Sequence, residues 1–420
     1  MKLKKWIAVV SALALSMTLL AGCGGNGGSA GGSDKGGTTT ADGKKEVVIW
    51  YYFDTDSQKQ MMKDLLDGFN TSQEEYTAKE VYVPFADYEK QLTLGMASGD
   101  LPDLVIMDSC GMASFIQLGL MADISDADID WDAYIQGPMD STMMDGKHYG
   151  IPFATNCTAL FYNKDMFDKA GLNYPDENTT WDQFREMAKT LTSGEVYGFG
   201  NAAVNNDEGT FQCLQWLYTA GGSYTDIGGG MDAYKLMQEM IEEGSWIKES
   251  VNWNQSDVNN NFVAGNLAMQ QNGPWQIPGI REESPDLNYG VTVLPKYDEN
   301  SGQATSILGG ENIGVVKKDN TDGAVAFLKY YDQDQVMIDA MKLYGSFPPK
   351  SAAAQDSFWM DDEIYAAFVK QLDTSIPRGP SAAWPSYSSV IQNGFQQVMT
   401  LEKTPEKAAA DTQAAVDAVK

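Results

Sequence analysis

Residues 47–69 read VVIWYYFDTDSQKQMMKDLLDGF, and the change of period inside this stretch decides the fold. Val47-Val48-Ile49-Trp50-Tyr51 is a continuous apolar run of strand length, the pattern of a strand buried on both faces of a parallel sheet. Met61, Met62, Leu65, Leu66 and Phe69 then recur at helical spacing, with Ser57 placed to cap the helix start. The alternation continues with a strand over 77–83, a helix over 87–97 and a strand over 104–107, a βαβαβ succession that predicts an α/β fold. Between the last two, Gly99 stands where a helix ends in a left-handed residue and Pro102 where it cannot resume. Further helices are predicted over 164–170, 181–192, 209–220, 230–243 and 255–264. Strands are predicted over 160–162, 197–200, 267–271, 289–293 and 313–316, and from Asp322 onward the pattern is helical apart from a Pro/Gly-rich break over 375–386.

The N-terminal residues read as a signal rather than as fold. Lys2, Lys4 and Lys5 precede an apolar stretch from Trp6 to Leu20, too short to span a bilayer comfortably. It ends in Leu20-Ala21-Gly22-Cys23, which resembles the lipobox of bacterial lipoproteins, so Cys23 is the expected lipidation site and residues 1–22 the expected signal peptide. Residues 23–45 form a glycine-rich tether: nine of the twenty residues from Gly24 to Gly43 are glycine, and such a segment buries too little apolar surface to order itself. A lipid-anchored body on the outer face of the cell membrane is the expectation.

The remaining stretch of the 420-residue chain exceeds what one core usually holds, so two lobes are expected. The net charge of −29 becomes −32 once the three signal lysines are gone, which argues against nucleic acid or anionic lipid as partners. Cys110, Cys157 and Cys213 are too few for a disulfide framework. With His148 as the single histidine, no ordinary zinc site and no cofactor are expected.

A series of short motifs runs along the chain. It comprises Tyr88-Glu89-Lys90-Gln91-Leu92 leading to Ser98-Gly99-Asp100-Leu101-Pro102-Asp103, and Asp145-Gly146-Lys147-His148-Tyr149-Gly150-Ile151-Pro152 leading to Phe161-Tyr162-Asn163-Lys164. Then come Thr180-Trp181-Asp182-Gln183-Phe184, Phe262 to Met269 with Gly273-Pro274-Trp275, and Thr404-Pro405-Glu406-Lys407-Ala408. In this order and spacing the chain resembles the family 1 extracellular solute-binding proteins of ABC importers, the group containing maltodextrin-binding proteins. The resemblance implies a two-lobed clamp, each lobe a mainly parallel sheet flanked by helices, closing over a solute. Crossings are expected near residues 152–156, 306–310 and 347–350, so that 46–154 with 309–346 make one lobe and 155–308 with 347–420 the other. It also implies a monomer that passes a mono- or oligosaccharide, or a polyol or phosphorylated polyol, to an ABC permease without catalysis.

Ligands of open α/β sheets sit beyond the carboxyl ends of the strands, which singles out Tyr52, Phe53 and Asp54 after the first strand and Asp108 and Ser109 after the third. A carboxylate there accepts paired hydrogen bonds from sugar hydroxyls, and an aromatic face packs on a sugar ring. Asp54 reads equally as a charge stabilised by a helix N-terminus. Trp275 follows a strand between Gly-Pro and a helix and by resemblance lines the cleft. Trp384 lies in the Pro/Gly-rich break like a second cleft aromatic, and Asn156 and Glu311 fall on the expected crossings. Trp181 and Trp216 read as a helix staple and as core.

Other signals lead elsewhere. Asp126, Asp128, Asp130 and Asp132 alternate like a calcium loop, but Trp131 stands where glycine is required. No glycine-rich stretch completes a phosphate loop, so ATP hydrolysis is not expected of this chain. The alternatives to transport are a surface glycan-active enzyme and a glycan-binding sensor or adhesin. The many acidic residues make a catalytic carboxylate pair uninformative.

Overall fold

The computed structural model describes residues 43–419; the lipobox with Cys23 and most of the tether lie outside them. The first sheet has five strands in the order Tyr76–Tyr82, Lys45–Tyr51, Leu104–Asp108, Glu311–Val315, Gly150–Pro152. The first three are mutually parallel, as the βαβαβ succession predicts. The second sheet has the order Tyr289–Thr292, Ala159–Asn163, Leu267–Asn272, Tyr197–Gly200.

The sheets are mixed, which corrects the expectation of mainly parallel ones. Glu311–Val315 runs antiparallel to both neighbours, and Ala159–Asn163 is antiparallel to both of its own. The reason is connectivity. The strands at 45–51, 104–108 and 267–272 end at the cleft, whereas strands that leave a crossing start there and must run away from it. The crossings themselves are hydrogen-bonded together: Thr155 exchanges backbone bonds with Phe347, and Asn156 with Gly309. Gly310 adopts φ 127°, and a Cβ on it would stand 2.1 Å from the Ala154 carbonyl oxygen, so only glycine permits the strands to pass this closely.

Helix boundaries follow the amphipathic pattern within a few residues. The first helix, Asp56–Ser72, is capped by Thr55 in a capping box with Gln58 rather than by Ser57, which already lies inside the first turn. Its buried face, Met61, Met62, Leu65, Leu66 and Phe69, joins Val47, Ile49 and Phe327 in one core. Tyr88, Leu92, Val105 and Met107 pack on the opposite face of the same sheet. The strand at 45–51 is less enclosed than its apolar run suggested, since Val48 and Trp50 on that face stay half-buried. The second sheet packs a core of Phe184, Phe199, Trp216, Tyr234, Trp246 and Phe395. Trp181 opens its helix behind a Thr180 capping box and donates its indole N–H to the Pro295 carbonyl at 3.1 Å. The break at 375–386 holds a short strand, Ser375–Pro377, paired with Ser306–Leu308, where no strand was predicted. Cys110, Cys157 and Cys213 are free and buried, and no described helix is long and apolar enough to cross a membrane.

Candidate functional site: a carboxylate-rich cleft

A cleft of about 420 Å³ opens where the ends of these strands meet the starts of several helices. From the first sheet come Tyr52, Phe53 and Asp54 after Lys45–Tyr51, Asp108 at the end of Leu104–Asp108, and Glu311 at the start of its strand. From the second come Trp275, just past Leu267–Asn272, and Asn156 from the crossing. The cleft also receives four helix starts that sequence reasoning did not assign to it: Thr55 and Gln58, Phe85 and Ala86, Asn206 and Glu208, and Asn254 to Asp257. Three of these starts are closed by their own caps. Thr55 accepts from Gln58 N–H, Asn206 from Glu208 and Gly209 N–H, and Asn254 from Asp257 N–H at 2.8 Å. The helix that starts at Phe85 has no side-chain cap. The Asn and Thr cap residues just before apolar periodic runs were the available signal.

Trp275 sits in a single 3₁₀ turn, Pro274–Gln276, half-buried, with its ring centroid 6.4 Å from that of Phe211. A Cβ on Gly273 would fall 1.9 Å from that indole, so the glycine lets the ring lie back over the turn. Tyr52 packs edge-on against Phe85 and Tyr88 and donates its hydroxyl to Glu311 Oε1 at 3.2 Å. Phe53 borders the cleft but is buried, wedged against Phe153 and Tyr344.

Two of the expected residues are not on the cleft. Ser109 lines a small neighbouring cavity behind the crossings, where its backbone N–H is tied to the Gly310 carbonyl. Trp384 is 1% exposed: it begins the helix Trp384–Met399 and its indole N–H donates to Asp207 Oδ1 at 2.7 Å, so it packs behind the wall.

That Asp207 belongs to the element missed most completely. Arg378, 3% exposed, donates to Asp108 Oδ1 and to Asp207 Oδ2, both at 2.6 Å, and lies 4.6 Å over the Phe211 ring. Asp108 ends a strand of the first sheet and Asp207 starts a helix packed on the second, so one guanidinium ties the two halves at the floor of the cleft. Burial opposes the guanidinium's charge, but the carboxylates of Asp108 and Asp207 outweigh it and hold the arginine ionised. Asp108, Cys110 and Asp207 bring three ligand-type atoms within 4.8 Å of one another, yet Arg378 already supplies the positive charge between them.

Glu311 is 8% exposed. Burial first, and then the charge of Asp108, push its carboxyl up to about 8, and its Oε2 has no partner among the described residues. Glu208 is pushed up to about 7, chiefly by burial. Arg378 Nε–H likewise lacks a partner. The cleft wall offers carboxyls that accept, from Asp54 and Asp257, amides that donate, from Asn252 and Asn254, and an indole face. A ligand that answers all three offers hydroxyls on an apolar ring.

A family model described as bacterial extracellular solute-binding protein matches residues 64–367. Among curated relatives, a lactose-binding protein of Rhizobium radiobacter is 29% identical over 279 residues, covering 61% of this chain and 64% of the relative. An sn-glycerol-3-phosphate-binding periplasmic protein of Yersinia enterocolitica is 24% identical over 385 residues, covering 82% of this chain and 85% of that one. Among solved structures, an ABC transporter solute-binding protein from Thermotoga lettingae bound with α-D-tagatose superposes with a TM-score of 0.82 at 23% identity, over 90% of this chain and all of that one. The maltose-bound MalE3 of T. maritima gives a TM-score of 0.80 at 19% identity, over 89% and 99%.

Proposed function

Because the chain belongs to the bacterial extracellular solute-binding proteins, a two-lobed extracytoplasmic family, we propose that it captures a carbohydrate in this cleft and releases it unchanged to an ABC permease. The observation that carries the carbohydrate reading is the combination of Trp275 and Tyr52 with the carboxyls of Asp54 and Asp257 and the amides of Asn252 and Asn254, all bordering one cavity. A sugar hydroxyl both donates and accepts, and a ring face has C–H groups for the indole. The lobes are 46–154 with 309–346, and 155–308 with 347–420, hinged at the paired crossings of Thr155, Asn156, Gly309 and Phe347. Lipid on Cys23 anchors the protein as a monomer beside its permease. Tyr52, Asp54, Asp108, Asn156, Trp275 and Glu311 contact the solute; Phe53 supports Tyr52 from behind.

The test is a thermal-shift screen of the mature chain against neutral mono- and disaccharides, followed by recovery of the best binder. A ligand present at about 100 times its Kd adds about 2.7 kcal/mol of stability. Prolonged incubation returning the sugar intact, with a smaller radius of gyration by solution scattering, supports binding and closure. Conversion of the sugar would replace the proposal with a glycan-active enzyme, and binding without closure with an adhesin.

A further inference from the structure

The charge on the cleft wall says which carbohydrates it accepts. Five carboxyl groups line it, from Asp54, Asp108, Glu208, Asp257 and Glu311. The cleft-lining residues include no lysine or histidine, and the single arginine, Arg378, is committed to Asp108 on one side and to Asp207 on the other. Asp54, Glu208, Asp257 and Glu311 form no ion pair with a described lysine or arginine within 4 Å. Their polar contacts come from neutral groups: Tyr52 O–H on Glu311, Gln255 N–H on Glu208, Asn254 N–H on Asp257.

The mutual repulsion registers on the groups themselves. After burial, the charge of Asp108 raises Glu311, and the charges of Asp54, Asp257 and Asp207 raise Glu208. Glu311, one of the five, is more than nine-tenths buried with one carboxyl oxygen unpartnered, and it holds a proton near neutral pH. Such a carboxyl answers to the charge of whatever group enters the cleft: a cation draws its proton off and an anion holds it on.

That group is not a bare metal ion. Among the described residues, the trio close enough to share an ion is Asp108, Cys110 and Asp207, already neutralised by Arg378; Asp54, Glu208, Asp257 and Glu311 are spread around the wall instead. Nor is it an anion: three of the four helix starts that would favour one are closed by their own caps, and Glu208 and Asp257 sit in the first turns of two of them. Distributed carboxylates interleaved with the faces of Tyr52, Phe85 and Trp275 suit a hydroxylated molecule that carries its own positive charge, which the aromatic faces also attract.

We propose that the cleft selects carbohydrates by charge, binding saccharides that bear a protonated amine in preference to their neutral parents and rejecting those that bear a carboxylate or phosphate. This rests on the carbohydrate reading above.

The experiment separates the two. The mature chain is titrated calorimetrically at pH 7 with matched series: glucose, glucosamine, glucuronate and glucose 6-phosphate; the galactose equivalents; and cellobiose against the deacetylated chitosan dimer. Ethanolamine, choline and putrescine serve as amines without a sugar. The expected order is amine, neutral, anion, with the amine at least about tenfold tighter than the anion. That gap should narrow about threefold or more in Asp54→Asn and in Asp257→Asn, which remove charge and keep shape. An anionic or neutral saccharide binding as tightly as its amine overturns charge selection and leaves the carbohydrate reading standing. Binding of the simple amines with silence from every saccharide upholds charge selection and overturns the carbohydrate reading. Silence from every amine-bearing probe overturns the inference.

Discussion

Arg378→Gln should destabilise the protein by about 3 kcal/mol while leaving its secondary structure intact. The guanidinium is 97% buried and holds two carboxylates at 2.6 Å, and its removal leaves Asp108 and Asp207 facing each other without the cation between them. Breaking a buried ion pair by deleting one partner typically costs about 3–5 kcal/mol, because the remaining charge is stranded. The lower end applies here for two reasons. Asp207 keeps the Trp384 indole N–H and the Ser388 hydroxyl as donors, and the carboxylates are 22% and 24% exposed, so water reaches them. Urea denaturation at pH 7, followed by tryptophan fluorescence, measures the loss. The double variant Arg378→Gln/Asp207→Asn should recover at least about 1 kcal/mol, since it removes one of the two opposed charges. A single-variant loss below about 1 kcal/mol, or a double variant in which the two losses simply add, would refute the bridge as the tie between the halves.

Trp275→Ala should lower carbohydrate affinity about tenfold or more with little change in stability, whereas Trp181→Ala, which deletes a 5%-exposed indole packed on Trp216 and Tyr297, should lose about 3–5 kcal/mol of stability and keep its affinity. Calorimetric titration of both variants shows which tryptophan borders the ligand, and a larger affinity loss in Trp181→Ala would mean the cleft is misplaced. Glu311→Gln should change the pH dependence of stability. The folded carboxyl, raised from an ordinary 4.5 to about 8, binds a proton that the unfolded chain has lost, so the wild type weakens relative to the variant as pH climbs through that window. The two should agree below about pH 4.5 and differ by on the order of 5 kcal/mol above pH 8; parallel stability curves from pH 4 to 9 would contradict the raised, buried carboxyl. Cys23→Ala should abolish incorporation of labelled lipid, and a variant that still incorporates it and fractionates with membranes would remove the anchor.

The fold was legible because its elements are strongly periodic. Met61, Leu65 and Phe69 mark one helix, Thr180-Trp181 the start of another, and the strand at Tyr197–Gly200 has the bounds its sequence suggests. Strand direction was not legible, since Ala159–Asn163 reads as apolar whichever way it runs, and only the crossings fix its sense. At the cleft, the rule about strand ends located Tyr52, Asp54 and Asp108 on the wall. It had nothing to say about groups from distant elements. Arg378 stands in a loop remote in sequence from both of its carboxylates and carries no periodic signal. Trp384 resembled a cleft aromatic because Pro380 and Pro385 flank it, but its indole N–H is satisfied by Asp207 and the ring is drawn inside. Residues such as Glu208 and Asp257 were recognisable as helix starts, though not as neighbours across one cavity.

Capture without conversion is tested most directly by a single large calorimetric injection of the saccharide that raises the melting temperature most. Reversible binding in one cleft predicts a heat pulse that returns to baseline and saturates at one ligand per chain. No heat from any saccharide, or a sustained heat signal that continues until the sugar is consumed, would contradict it.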